Sequence, residues 1–428
     1  MSNYFPSQVV SDKEKLSSDY GFKIGKAIES EWFKRDSGTN RFASNQNNFH
    51  KLRLYARGEQ AIQKYKDELS INGDLSYLNL DWKPVPIIPK FVDIVVNGIS
   101  ERTFDIKAFT QDPYGVSKRT KYMEGILADM RSQDLNEFAA EAFGVNLQAS
   151  DTNPLPENEE ELQLHMQLNY KQAVEIAEEQ AINVLLEGNR YELVRKKVNY
   201  DLCVLGIGCV KNTFNKSEGV KVEYVDPANI VYSYTEDPYF EDIYYFGEIK
   251  TIPINEIVKE FPNLTEQELK NLHNQGHQST GFYNRSLAES VNQDKNQIQV
   301  LYFNYKTYMN EVYKVKETAT GGSKVIVKDD QFNPPTELLE ERFGKLSKQI
   351  EVLFEGAMVL GTKQMLKWGL AKNMMRPKSD YTKVKMNYNI VAPRMYKGKI
   401  ESLVSRITTF ADMIQLTHLK IQQVMSRR

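Results

Sequence analysis

Cysteine is nearly absent: Cys203 and Cys209, in one apolar stretch, are the only two. Such a pair frames no disulfide scaffold and fits a reducing compartment. Histidine is scarce, with five residues. His50, His165 and His418 stand alone, and His273 and His277 are separated by Asn-Gln-Gly, which holds no acid and breaks a helix. Metal ligation therefore has no local support. No apolar run reaches the roughly 18 residues a membrane-spanning helix needs, and the start, MSNYFPSQVVSDKEK, lacks a basic-then-apolar signal. Nucleotide loops are incomplete. GFKIGKA at Gly21–Ala27 is one residue short of a phosphate loop and ends in Ala, and Gly206-Ile207-Gly208 lacks a third glycine and leads into a strand pattern. There is no GxSxG elbow and no CxxC, and Glu159-Glu160-Glu161 reads as a solvated helix face. These absences predict no cofactor, no metal, no ATP hydrolysis and no motif-based enzyme. A catalytic centre assembled from distant residues stays open.

What is present is ordinary in bulk and unusual in arrangement. A hydrophobic fraction of 41% with 26% charged residues specifies a folded chain, and its length suits two to four domains. Twenty-four Tyr and twenty Phe favour sheets and broad contact surfaces. The net charge of −2 hides a separation: residues 361–428 hold fourteen Lys and Arg against Asp380, Glu401 and Asp412, or +11, which leaves −13 for residues 1–360. A basic end on an acidic body suggests a polyanionic partner at that end; a merely solvated basic face is the plainer alternative.

In chain order, residues 1–16 are polar and predict a loose arm. Ser18–Lys34 and Asn47–Leu69 have helical periodicity, the second closed by INGDLS. Pro84, Pro86 and Pro89 exclude a helix before Lys90, after which Val92, Val95, Val96 and Ile99 mark a short buried one. Phe104, Ile106 and Ala108 alternate with Asp105 and Lys107 as in a half-buried strand. Helices are predicted over 116–148, Glu159–Gly188 and Tyr191 to about Leu205. Strands are predicted at about Ile207–Phe214, Val220–Tyr224 and through DIYYFGEIKTI, with a turn at Asp226-Pro227. A short helical pair follows in IPINEIVKEFPNLTEQELKNL. Gln297–Val315 and GGSKVIVKDD form a hairpin turning near Gly321-Gly322, and IEVLFEGAMVLGTKQMLKWG gives two short strands. The fold class is α+β, with strands concentrated at 203–252 and 297–362 and helices dominating 1–200.

The stretch from Tyr396 to Arg428 ends the pattern. Ile400, Leu403, Ile407, Phe410, Ile414, Thr417, Ile421 and Val424 recur at steps of three and four, and Val404, Met413, Leu416 and Met425 widen the stripe. This predicts a long amphipathic helix from about Lys399, with Lys399, Arg406, Lys420, Arg427 and Arg428 on its polar side. Ile400, Leu403, Ile407, Phe410, Ile414, Ile421 and Val424 are the candidate oligomer-interface residues.

Four stretches, taken in order, resemble the portal proteins of tailed double-stranded DNA bacteriophages, most closely those of crAss-like phages. They are RLYARGEQAIQKY, VPIIPKFVDIVVNGISERTFDIKAF, DLCVLGIGCVKNTF with VKVEYVDPANIVY, and VLFEGAMVLGTKQMLKWG with the basic connector and helix after it. Together they span roughly residues 50–428. The resemblance implies a non-enzymatic conduit, a homo-oligomeric ring of twelve copies at one capsid vertex, through which DNA is packaged and ejected. It implies an N-terminal arm with helices (1–82), a wing (83–290), a clip and stem-proximal β-rich region (291–396) and a stem-like helix (397–428). Implied partners are double-stranded DNA, the major capsid protein, the terminase large subunit and head–tail adaptor or tail ring proteins, with no membrane. Implied location is the virion head–tail junction, after assembly in the host cytoplasm. Lys397, Lys399, Arg406, Lys420 and Arg427 become DNA-channel candidates. Portals continue past the stem into another long wing helix and a crown. The sequence ends at Arg428 before them, as in a piece of a longer chain or a short family member. Another head–tail ring protein, or a nucleic-acid enzyme such as a nuclease, is the alternative.

Overall fold

The computed structural model of the chain describes residues 4–33, 41–70, 80–100, 106–144, 155–168, 170–215, 219–262, 264–273, 297–317, 322–329, 332, 343–362 and 364–426. It is a mixed α and β structure, 48% helical and 24% strand, which places it in the expected α+β class. Helices are α1 (Asp12–Lys15), α2 (Ser18–Phe33), α3 (Arg41–Arg57), α4 (Gln63–Leu69), α5 (Ile87–Ser100), α6 (Pro113–Arg131), α7 (Gln133–Phe143), α8 (Glu159–Leu168), α9 (Ala173–Gly188), α10 (Tyr191–Val204), α11 (Ile254–Glu260), α12 (266–273) and α13 (Leu403–Ser426). Strands are β1 (Gly208–Asn215), β2 (Gly219–Tyr224), β3 (Ile230–Tyr232), β4 (Tyr245–Pro253), β5 (Gln297–Glu317), β6 (Ser323–Lys328), β7 (Phe343–Val359), β8 (Met365–Leu370), β9 (Tyr388–Val391), β10 (Met395–Tyr396) and β11 (Lys399–Ile400). Among the described residues, strands fall within the expected stretches 203–252 and 297–370, with β9 to β11 added beyond and the strand expected around Ile106 and Ala108 absent.

The chain divides into two compact units, residues 1–101 with 193–428, and residues 102–192. In the larger unit an antiparallel sheet runs β3-β4-β5-β7-β8, with β6 pairing the far end of β5. Residues on either side of position 290 share this sheet, since β4 pairs β5 from Tyr245↔Tyr305 to Pro253↔Gln297. A second sheet, β2-β1-β9, ties the turn after α10 to the segment before α13. Helix α2 lies on the large sheet. Its Gly21 leaves room for the Trp368 ring, where a Cβ would come within 2.2 Å, and Trp368 stacks on Phe354 with centroids 4.9 Å apart. The GFKIGKA glycines thus serve helix–sheet packing.

Several expectations are corrected. Residues 5–16 are anchored: Phe5 stacks on Tyr245, and the fully buried Lys15 donates to the Tyr308 carbonyl at 2.5 Å. Helix α5 begins at Ile87, ahead of Lys90, with Pro89 in its first turn, where no intrahelical N–H bond is lost. Its Val92 and Val96 are buried, while Ile99 is exposed. Helices α8 and α9 replace the single predicted helix, because Gln172 and Glu175 cap each other and start α9 afresh. Residues 106–111 are not a strand. The backbone N–H groups of Ala108 and Thr110 donate to Glu179 Oε1 (3.0 Å) and Glu175 Oε1 (2.9 Å) on α9, so carboxylates take the place of a neighbouring strand. β7 is long rather than short, because it pairs β5 from Val300↔Val359 to Lys316↔Phe343. Phe104, the INGDLS turn from Ile71 onward, Gly321 and His277 lie outside the described residues.

The smaller unit has a modest core of Ile126, Leu162 and Met166, flanked by the stacked Tyr122 and Tyr170. Leu135, Phe138, Phe143, Leu164, Val174 and Val184 are exposed on its helices.

One buried polar junction joins α3, α10 and β2. Arg53 reaches Asp226 at 2.7 and 3.1 Å and Asp201 at 3.4 Å, and Tyr224 donates to Asp201. Burial pushes the Asp201 carboxyl up to about 6, against the opposing pull of Tyr224 and Arg53. The folded state therefore binds this proton more tightly than the unfolded chain. Between about pH 4 and 6 the group makes stability rise as pH falls. We expect the urea stability of the wild type to gain roughly 1 kcal/mol from this group between pH 7 and pH 5. That increment should be missing in Asp201→Asn; an identical pH dependence in the two proteins would show that Asp201 titrates elsewhere.

Candidate functional site

The basic connector and last helix are built from three devices. First, the strands β10 and β11 form a two-residue hairpin, Met395↔Ile400 and Tyr396↔Lys399, whose turn residues Lys397 (φ 47°) and Gly398 (φ 71°) both have positive φ. That is the type I′ geometry, in which Asn, Asp or Gly is favoured at the first position. A lysine there occupies a sparsely populated conformation at an exposed tip. Lys399 is thus a strand residue, and the helix begins four residues later than predicted, at Leu403.

Second, Ser402 and Ser405 cap the start of α13 reciprocally: Ser405 N–H donates to Ser402 Oγ (2.9 Å), and Ser402 N–H to Ser405 Oγ (3.0 Å). Just upstream the chain passes over the turn between α10 and β1. Gly206 there has φ 81°, and a Cβ on it would sit 2.7 Å from the Glu401 carbonyl oxygen. The bare GxG is therefore a close backbone crossing. Gly206→Ala should cost about 2 kcal/mol or more, from positive φ together with the clash; an unchanged denaturant midpoint would contradict this.

Third, α13 is held to the body by its polar side. Asp412 Oδ1 accepts from the Tyr55 and Tyr65 hydroxyls, each at 2.7 Å, and Oδ2 accepts from Lys64 Nζ at 2.5 Å. Burial alone would raise the Asp412 carboxyl; Lys64, Tyr65 and Tyr55 outweigh it and hold the group below its ordinary value. Gln415 accepts from Val85 N–H (2.8 Å), and Gln422 accepts from Asp81 N–H (3.2 Å). Val404, Ala411 and Leu419 complete the buried face.

This arrangement splits the predicted seam. Ile400, Leu403 and Ile407 are partly buried against the protomer's own core. Ile414 is half-buried, and Phe410 (63%), Ile421 (53%) and Val424 (66%) are exposed, alongside Met413 and Met425. The helix thus turns much of its apolar stripe outward. The cations share the outward side instead of occupying the opposite one: Arg406 and Lys420, both exposed, are fourteen residues apart, about 21 Å along the helix and within roughly 40° of each other around it, Arg406 in angular line with Val424 and Lys420 beside Met413. Arg406 Nε lies 4.0 Å from Glu401. Lys397 and Lys399 are exposed on the hairpin, and Arg427 lies outside the described residues. Arg406 and Lys420 are therefore spread along the helix and do not converge on one pocket.

Asp412, Gln415 and Gln422 were missed by pattern reading, which treated polar helix positions as solvent-facing. An acid set in a strongly basic segment was the available signal. No group of three or more His, Cys, Asp or Glu among the described residues could hold a metal ion, and no described helix is long and apolar enough to cross a membrane. No known family model and no characterised protein sequence matches the chain.

Proposed function

We propose that this chain is a subunit of a portal-type ring, the DNA conduit at a capsid vertex, in which α13 is the stem-like helix. The observation that carries the reading is the outward apolar stripe of α13, Phe410, Met413, Ile421 and Val424, with Arg406 in line with it and Lys420 at its edge. A helix docked through its polar side leaves an apolar face that water disfavours and a second copy can cover. The exposed Phe91 and Ile94 of α5 and the apolar surface of residues 102–192 add further area for burial between subunits. Ring closure uses different patches on the two partners. The exposed cations Lys397, Lys399, Arg406 and Lys420 suit contacts with phosphates that are few and exposed, so that DNA is held without being arrested. In this reading capsid protein, terminase and tail-ring proteins are the neighbours. The chain is a conduit and not an enzyme.

Negative-stain microscopy of the purified chain is the test. Rings with a central hole are the expected result. A monodisperse monomer at high concentration, or metal-dependent nuclease activity that survives repurification, would replace this reading with the enzyme alternative.

A further inference from the structure

The far end of the large sheet carries charge sorted by face. Beyond Tyr305, which pairs Tyr245 of β4, strand β5 continues for twelve residues, roughly 40 Å, pairing β7 on one side and, from Val312 onward, β6 on the other. In this three-stranded ribbon Lys314 lies opposite Ile326 on β6 and Lys345 on β7. Two residues along β5, Val312 lies opposite Lys328 and Ser347. Side chains directly opposite, and those two apart on a strand, share a face. Lys314, Lys324, Lys328 and Lys345 therefore share one face. Phe332 lies over it, its ring centroid 5.9 Å from both Lys314 Nζ and Lys328 Nζ.

The opposite face holds Tyr313, Val315, Val325, Val327 and Leu346. The described acids nearest the lysines are off their face: Glu311 sits with Tyr313, whose hydroxyl donates to it at 2.6 Å, and Asp329, past the end of β6, lies 3.9 Å from Lys13. Glu351, six residues beyond Lys345 on β7, is on the lysine face, half-buried and accepting from the Val384 N–H at 3.2 Å.

We propose that the lysine face of the β5–β6–β7 ribbon binds the phosphate backbone of a nucleic-acid duplex, independently of sequence. The geometry selects this class. The ammonium groups are spread over a flat area, about 14 Å between Lys324 and Lys328 along β6, and do not converge as a single phosphate would require. An anionic membrane would need a broad apolar surface beside the lysines; the exposed Val325, Val327 and Leu346 are on the reverse face, and Ile326 alone of the described exposed apolar side chains of the ribbon shares the lysine face. A duplex, with one charge per roughly 1.7 Å of axis, meets such an array at several points. This surface is remote in sequence from the basic tail and stands without the portal reading, which ring imaging tests separately.

The experiment is fluorescence anisotropy of a labelled mixed-sequence DNA duplex with the full chain over a range of potassium chloride, comparing wild type, Lys324→Glu/Lys328→Glu and Lys397→Ala/Lys399→Ala. Both ribbon positions are exposed, so the first variant should keep the wild-type melting profile. Its affinity should fall roughly tenfold or more, with a salt slope shallower by about two. The proposal is overturned if the wild type does not bind duplex, or if the ribbon variant binds with unchanged affinity and slope. It is equally overturned if wild type prefers phosphatidylserine vesicles to DNA. Should Lys324→Gln/Lys328→Gln aggregate with binding intact, the lysines only protect the β6 edge.

Discussion

Phe410→Asp/Ile421→Asp is expected to yield a folded protomer that forms no rings. Both side chains are more than half exposed on α13, so a carboxylate at either position stays hydrated in the monomer and leaves its stability within about 0.5 kcal/mol. In an assembly that covers the stripe, each would become a buried, unpaired charge, and truncating or reversing such an anchor costs several kcal/mol per interface. Multiplied around a closed ring, that loss leaves no assembly at micromolar concentration. Ile407→Asp behaves differently, because Ile407 packs on the protomer's own core; it should unfold the chain and so reports on stability. Size-exclusion chromatography with light scattering and circular dichroism on the two proteins separates these outcomes. Rings of normal size from the Phe410/Ile421 double variant would sink the interface. Arg406→Ala and Lys420→Ala should assemble normally and alter DNA retention only, since either change leaves the apolar side chains of the stripe in place.

Asp412→Ala should release α13 from the body. The substitution removes the common acceptor of Tyr55, Tyr65 and Lys64 at a position 7% exposed. Two buried hydroxyls then lose their carboxylate acceptor and are left with each other and Gln60. At about 1–3 kcal/mol for each such loss, with little added for Lys64 because its side chain is 56% exposed, the loss is about 3 kcal/mol. The same contacts set a pH dependence. A carboxylate held below its unfolded value stabilises the fold above that value, about pH 4, and the contribution disappears as pH falls further. Glu175, also held low because the backbone N–H groups of Gln172 and Thr110 outweigh burial, acts in the same direction. Acid unfolding of the wild type should therefore steepen below about pH 4, and Asp412→Ala should flatten that limb while lowering the plateau. A plateau equal to wild type would mean that α13 is held by its apolar contacts alone. Hydrogen exchange along α13, faster in the variant than in wild type, locates the effect.

The order and type of elements were legible from local pattern. Strand alternation at Val220–Tyr224 and in DIYYFGEIKTI, and the helical period before Leu69, reflect side-chain periodicities that the backbone imposes wherever one face is buried. The +11 of residues 361–428 was legible in the same way, because charge is additive along a chain. The break at Lys397-Gly398 was not, since a lysine with positive φ contradicts local preference and is held by tertiary and cross-strand contacts: the pairing of Met395 with Ile400 and of Tyr396 with Lys399, and the Glu401 N–H on the Arg394 carbonyl at 3.0 Å.

Which face of α13 meets the body was decided only by tertiary structure. Periodicity identifies an apolar stripe but not its partner. Here Asp412, Gln415 and Gln422 find donors on α3, on α4 and in residues 81–85, far away in sequence, and those directional bonds orient the helix where nondirectional burial could have turned it either way. The Arg53–Asp201–Asp226 junction and the lysine face of the β5–β6–β7 ribbon have the same origin. They exist because register and packing bring together residues whose sequence neighbours reveal nothing of the pairing.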